Sequence, residues 1–223
     1  IGMKNTTFNN PSGLPTPTGN YSSTYDMALL TRYAMKYKEY RDIVKTKKYK
    51  VTTDKKTYVW NNKNKLLKYD YVTGGKTGYT EESGRTLVST ATIDDMDLIV
   101  VTIRDSDDWN THTSLYNYAK ENYIGYRVLN KAKFKVYGDT YYKNDTFYIK
   151  EDIYIPLKRE EKKSLVSHVI LDKRKDYNTN DKIGINQISL GDTLLYEEDI
   201  YIIKNTSKSK KNIFSKIRKW FDD

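Results

Sequence analysis

Gly74-Gly75-Lys76-Thr77-Gly78-Tyr79-Thr80 is the stretch whose reading decides the fold of this chain. It stands just before two runs dense in Val, Ile, Thr and Leu, Arg85 to Ile93 and Leu98 to Arg104, which the Asp94-Asp95 turn joins. β-branched residues at that density, bounded by turn residues, predict three consecutive strands in an antiparallel meander. Glycines inside a strand let another backbone approach closely. A lysine beside a threonine hydroxyl on an edge strand supplies a fixed positive charge and a donor. That pair suits a carboxylate, while the strand's own amides meet the peptide groups of a ligand. A phosphate-binding loop would need G-x-x-x-x-G-K-[ST] leading into a helix, and here the run leads into strands.

Working outward, residues 1–19 are rich in Asn, Pro, Gly and Thr without periodicity and read as loop and turn. Ser22 or Ser23 can cap a helix that carries Met27, Leu30, Ala34 and Tyr37 on one face through about Tyr37, with a second short helix around Tyr40 to Val44. Tyr49 to Thr53 and Thr57 to Trp60 flank Asp54-Lys55-Lys56 and read as a hairpin with a charged tip. Thr111 to Tyr123 returns to helical spacing. After Gly125 the pattern changes to short alternating runs: Phe134 to Tyr137, Thr146 to Ile149, Ile153 to Ile155, Leu165 to Leu171 and Tyr201 to Ile203. These predict a small β-rich module. In the tail, Ile213, Phe214, Ile217, Trp220 and Phe221 form one apolar stripe of a helix whose other face is lysine and arginine. The expected organisation is therefore 1–125 as one domain, 126–206 as a β-rich domain and 207–223 as a basic amphipathic helix.

Composition narrows the function classes. The 223 residues include 39 Lys and Arg against 29 Asp and Glu, a formal charge of +10, with mean hydropathy of -0.82 and no long uncharged apolar run. A bilayer-spanning helix is not expected. With 13% aromatic residues, 22 of them Tyr, the chain should fold rather than behave as a disordered polyelectrolyte. The absence of cysteine removes disulfides, thiolate metal sites and thiol nucleophiles together. A pI near 9.3 alone suggests nucleic acid, but no stacking motif such as RNP1 accompanies it, and no nucleic-acid partner is expected. Residue 1 is Ile, with no signal-peptide pattern behind it, so an upstream segment is expected to be missing.

Lys-Thr-Gly is one of three motifs shared by penicillin-interacting serine enzymes, and its flanks here resemble those of one family among them. Gly2 to Leu14, then Tyr21-Ser22-Ser23 leading to Asp26-Met27-Ala28, is similar to the segment after the S-x-N motif in serine D-Ala-D-Ala carboxypeptidases. Asn61 to Leu67 is similar to their Asn-rich stretch before Lys-Thr-Gly, and Gly75 to Thr80 followed by Gly84 to Val88 completes the order. By this resemblance, which covers about residues 1–123, the chain looks like part of a low-molecular-mass penicillin-binding protein of the peptidase S11 family. The resemblance implies an α+β transpeptidase-like domain, incomplete here, whose antiparallel sheet carries Lys76 on an edge strand, then a mostly-β domain.

The same resemblance implies a serine-type carboxypeptidase that removes the terminal D-alanine of peptidoglycan stem peptides through an acyl-serine. It implies no metal or cofactor. Lys76 would be the motif's cation and Thr77 the hydroxyl on the substrate's terminal carboxylate, and the backbone N–H of Tyr79 would be an oxyanion donor. Gly78, Thr80 and Arg85 are the further substrate-binding candidates. The nucleophile of S-x-x-K and its S-x-N partner are not found in the matching part. Ser207-Lys208-Ser209-Lys210 holds an S-x-x-K in the basic tail, outside the matching order. The chain alone is therefore expected to be inactive, a fragment of an exported enzyme on the extracytoplasmic face of the membrane. Stem peptides, β-lactams and an anionic membrane surface are its expected partners. Two alternatives stand beside this: a non-catalytic envelope module that binds stem peptides or other wall components, and a tail helix that packs on the β-rich domain. His112 and His168 lack any metal-ligand spacing and read as structural or exposed. Glu81-Glu82 and Asp94-Asp95 read as solvated turns.

Overall fold

In the computed structural model, residues 1–142 and 144–205 are described. The tail residues Ile213, Phe214, Ile217, Trp220 and Phe221 lie outside them, so the expected membrane stripe does too. Two compact units are present: residues 1–126 with 154–162, and, within the described range, residues 127–153 with 163–205.

The first unit opens with α1 (Thr24–Ala34), whose N-cap is Ser23, its hydroxyl accepting from Asp26 N at 3.1 Å. The helix stops three residues short of Tyr37. The N–H groups of Lys36 and Tyr37 turn back to the carbonyls of Tyr33 and Ala34, and Tyr37 becomes the extended residue that precedes α2 (Lys38–Lys45). β1 (Lys48–Thr52) and β2 (Thr57–Asn61) then pair as a two-stranded hairpin, followed by a 3-10 turn at Lys65–Lys68. β3 (Val72–Thr80), β4 (Gly84–Ile93) and β5 (Met96–Ile103) form a three-stranded antiparallel meander in sequence order, and α3 (Asp108–Asn122) follows. The β4–β5 connection is two residues long, with φ of 48° at Asp94 and 63° at Asp95. Positive φ at both central residues is the turn whose twist matches that of the flanking strands.

Strand alternation gives this sheet two differently used faces. On one, Leu87, Ala91 and Ile93 join Leu66, Leu67, Val72 and Tyr116 in a buried cluster beneath α3. On the other, α2 packs on β3 closely enough that Gly74 has no room for a side chain beside Val44.

The α3 face also buries polar groups, and each is partnered. Ser89 Oγ lies 2.7 Å from Nδ1 of His112 and 2.6 Å from the hydroxyl of Tyr116, while Nε2 of His112 lies 3.1 Å from Thr102 Oγ1. Ser89 and His112 are fully inaccessible. Burial makes the charged imidazolium costly, which pulls the His112 pKa down to about 4, and the same burial raises the Tyr116 hydroxyl.

β6 (Ile124–Leu129) and β8 (Ile153–Leu157) pair as a separate two-stranded ladder. The second unit is built on a four-stranded antiparallel sheet of β7 (Thr146–Tyr148), β9 (Leu165–Leu171), β10 (Lys182–Leu190) and β11 (Thr193–Ile203), in spatial order β7-β11-β10-β9. Ile183, Ile202 and Tyr142 form its core with Phe147, Leu171 and Tyr177. The Tyr142 hydroxyl donates to Asp172 O at 2.5 Å and accepts from Arg174 N at 3.1 Å, so its one polar atom is satisfied. Phe134 to Tyr137 alternates between half-buried and exposed but is not a strand. Alternation alone does not make a strand where no neighbouring backbone completes the ladder. β10, by contrast, is a strand that the sequence pattern did not single out.

Because the unfolded chain binds a proton below pH 6.5 that buried His112 refuses until about pH 4, stability falls as pH drops through that window. The expected slope approaches about 1.4 kcal/mol per pH unit, at most about 3.5 kcal/mol in total. Urea unfolding at pH 7 and pH 5 checks this, and His112→Gln, which has no proton to take up, should flatten the difference.

Candidate active site

Among the described residues β3 pairs with β4 alone, so one of its margins has no partner strand there. Which of its backbone groups point there follows from the neighbours. In an antiparallel sheet the N–H and C=O of one residue point to the same side, and successive residues alternate. Arg85 O accepts from Asp105 N, so the odd-numbered residues of β4 point their backbone toward β5, while Thr92 N donates to Tyr71 O, so the even-numbered ones point toward β3. The register pairs Lys76 with Val88, Thr77 with Leu87, Gly78 with Thr86 and Tyr79 with Arg85. The backbone groups of Lys76 and Gly78 are therefore spent on β4, and those of Thr77 and Tyr79 face the open margin. Consistent with this, Thr77 O is free to accept from the ammonium of Lys76.

Glycines place that margin. A bulge between Val72 and Gly74 resets the register, and Gly75 follows at φ 146°, where a Cβ would overlap Val88 O. Asn64 fixes the same point from the side. It is 3% exposed, its Oδ1 accepts from Leu66 N at 3.0 Å and its Nδ2 donates to Gly74 O at 3.4 Å. Gly78 leaves room for the hydroxyl of Thr86 across the strand pair.

The side chains named from sequence separate by face. Lys76 is exposed and shares its face with Val88, the side on which Val44 of α2 meets Gly74. Thr77 is half-buried on the opposite face, and the Tyr79 ring is 70% exposed. Thr80 is engaged in the β3–β4 turn, where its Oγ1 accepts from Ser83 N at 3.0 Å. Arg85 is not brought to Lys76. It lies on the α3 face, its guanidinium held by both carboxylate oxygens of Asp108 and stacked 5.3 Å from the centre of the Trp109 ring. Asp108 is 2% exposed, so this pair neutralises a buried charge beside α3. The hydrogen bond with Asp108 also raises the Arg85 pKa.

Sequence reasoning missed two positioning residues. Asn64 was visible only as part of an Asn-rich run. Asp26, 1% exposed, accepts from Asn5 N and from Thr6 Oγ1, both at 2.7 Å, and so ties the N-terminal segment to α1. The Thr6 hydroxyl is the main cause of its lowered pKa. Among the described residues no three His, Asp or Glu side chains gather as a metal site would require.

Gly75→Ala should therefore cost about 1–3 kcal/mol of stability through strain at the margin. Gly13→Ala, with open space around it at φ 73°, should cost only the backbone part, about 1 kcal/mol. Thermal unfolding of the two variants checks the difference; equal losses would contradict the steric argument.

Residues 1–107 match a peptidase S11 family model described as D-alanyl-D-alanine carboxypeptidase. Residues 127–209 match a model described as penicillin-binding protein 5, C-terminal domain. The D-alanyl-D-alanine carboxypeptidase DacF of Bacillus subtilis is 41% identical over 104 residues, 45% of this chain and 26% of that protein. The crystal structure of penicillin-binding protein 5 from Haemophilus influenzae superposes with a TM-score of 0.60 at 26% identity, covering 91% of this chain and 61% of that one. A peptidoglycan synthesis regulatory factor (PBP3) from Streptococcus pneumoniae shares the fold, with a TM-score of 0.73 at 18% identity over 91% of this chain and 65% of that one. The chain spans about a quarter of the length of the curated relatives it matches. A segment similar to the carboxypeptidases followed by a segment similar to a penicillin-binding-protein C-terminal domain accounts for most of its length, and it is over residues 1–107 that the chain matches the peptidase S11 family of D-alanyl-D-alanine carboxypeptidases.

Proposed function

We propose that this chain supplies the substrate-holding margin of a serine-type D-alanyl-D-alanine carboxypeptidase acting on peptidoglycan stem peptides. The observation that carries the reading is the open β3 margin, on which the backbone groups of Thr77 and Tyr79 point outward beside the exposed Lys76. A stem peptide would add to this margin as an extra strand, its peptide groups meeting those backbone groups. The Lys76 ammonium from one face and the Thr77 hydroxyl from the other would meet the C-terminal carboxylate at the open edge by charge-assisted hydrogen bonds, and Gly78 would keep the approach clear of a side chain.

The chemistry is acyl transfer. A serine hydroxyl attacks the carbonyl of the D-Ala-D-Ala bond, the terminal D-alanine leaves with the serine's proton on its nitrogen, and water then releases the acyl group. The Tyr79 N–H would face the oxygen that becomes negative during attack, a contribution of about 3 kcal/mol for such a donor. The serine itself would come from an S-x-x-K motif that the matching residues of this chain do not hold. In this reading Arg85 braces the sheet through Asp108 and does not touch substrate. The protein would work at the extracytoplasmic face of the membrane and would bind β-lactams as substrate mimics.

Labelling the complete product of the encoding gene with a fluorescent penicillin tests this. The expected result is a covalent label whose rate of formation drops by about 10²-fold or more in Lys76→Ala, with thermal stability unchanged. A label that forms equally fast without Lys76 would contradict the role given to the margin. No label on a folded full-length product would leave a non-catalytic binder of stem peptides.

A further inference from the structure

The β1–β2 hairpin carries groups that neither the core nor the β3 margin uses. Apart from Val51, every residue of its two strands is exposed, on both faces. A hairpin with no core to cover has no burial to gain from large side chains, yet Tyr49, Tyr58 and Trp60 are 57%, 40% and 53% exposed. Tyr49 stands opposite Trp60 in the register, and Tyr58 lies two residues along on the same face. Their planes are parallel within 13°, with centroids 6.1 Å apart for Tyr49–Trp60 and 5.6 Å for Tyr58–Trp60. The result is a continuous aromatic strip in solvent. Cross-strand ring pairs do help hold an isolated hairpin. Valine or threonine pairs would serve that purpose without exposing three ring faces.

Charge provides the second observation. Between Lys47 and Lys63 six lysines stand against Asp54, a net of +5 in 17 residues out of +10 for the whole chain. All six are exposed, and the Lys56 ammonium lies 5.5 Å from the centre of the Tyr58 ring. An exposed aromatic strip bordered by cations complements a polymer of saturated sugar rings whose attached peptides carry carboxylates. The C–H faces of the sugars lie on the rings, and the carboxylates meet the lysines.

We infer that the β1–β2 hairpin is a binding site for the peptidoglycan strand of the wall, its sugar rings on the aromatic strip and its stem-peptide carboxylates at the lysines, separate from the β3 margin that would hold the stem peptide's end. The inference rests on the wall-enzyme reading for its choice of polymer. A nucleic acid is the competing polyanion, since bases also stack on exposed rings, and displacement by single-stranded DNA is the arm of the test that separates the two. Holding the glycan on the same unit as the β3 margin would raise the local concentration of stem peptides around that margin.

The test is co-sedimentation of the full chain with purified sacculi from which phosphate polymers have been stripped. The wild type should bind. The Tyr49→Val/Tyr58→Val/Trp60→Val variant, which keeps strand-forming residues but removes the rings, should lose at least 10-fold in affinity with its circular dichroism unchanged. The Lys47→Ser/Lys50→Ser/Lys56→Ser variant should bind more weakly and with a shallower salt dependence. In the complete gene product the ring variant should still take the fluorescent penicillin label at the wild-type rate, so a failed carboxypeptidase reading and a failed glycan site give different results. Equal binding by the ring variant, loss of binding once phosphate polymers are stripped, or displacement by single-stranded DNA at equal charge would each overturn the inference.

Discussion

The backbone of β3 finds hydrogen-bond partners on one side only, and the organisation of the first unit follows from that constraint. β4 takes the backbone groups of Lys76 and Gly78, so those of Thr77 and Tyr79 are left outward by alternation alone. The bulge at Val72–Gly74 and the glycine at position 75 set which residues take which side. A register slip of one residue would exchange the two sets and turn the Lys76 side chain to the other face. The buried Asn64, bonded to Gly74 O, holds the strand against that slip.

Stability and binding are kept on different parts of this sheet. The α3 face carries the apolar cluster and the Ser89–His112–Tyr116 contacts, closed to solvent or nearly so, and the Arg85–Asp108 pair, of which only the carboxylate is buried. Buried polar groups of this kind constrain geometry more than they add net stability, since removing one partner leaves the other unsatisfied. They fix α3 against β4 and β5, and β4 in turn fixes β3. The margin is thus positioned by contacts that lie behind it, while on its outward side the Lys76 ammonium donates to Thr77 O.

Much of this was legible in the sequence, because the first unit is dominated by local signals. The glycine-rich run, the dense β-branched strands and the Asp94-Asp95 turn gave β3, β4 and β5 in order, and the cap at Ser23 and the α3 periodicity were equally plain. What was not legible depends on distant partners. Arg85 read as a cation near the margin, because its partner Asp108 is 23 residues away and only the fold brings them together. Phe134 to Tyr137 has a strand's alternation without a strand's neighbour, whereas β10, with Gly184 and Asn186 inside it, lacks a strong strand signature and is made one by β9 and β11 on either side. The fold class read from the Lys-Thr-Gly resemblance agrees with penicillin-binding-protein neighbours, although the faces on which individual side chains stand could be assigned only once the register was known.

The central claim concerns individual amides, so the most direct measurement follows them one by one. Backbone amide shifts and hydrogen exchange of the labelled chain, recorded while a peptide ending in D-Ala-D-Ala is added, should show perturbation and added protection at Thr77 and Tyr79. The Lys76 and Gly78 amides, already bonded to β4, should keep their exchange rates. Protection of Lys76 and Gly78 with no change at Thr77 and Tyr79, or shifts confined to the α3 face around Arg85 and Trp109, would contradict the account.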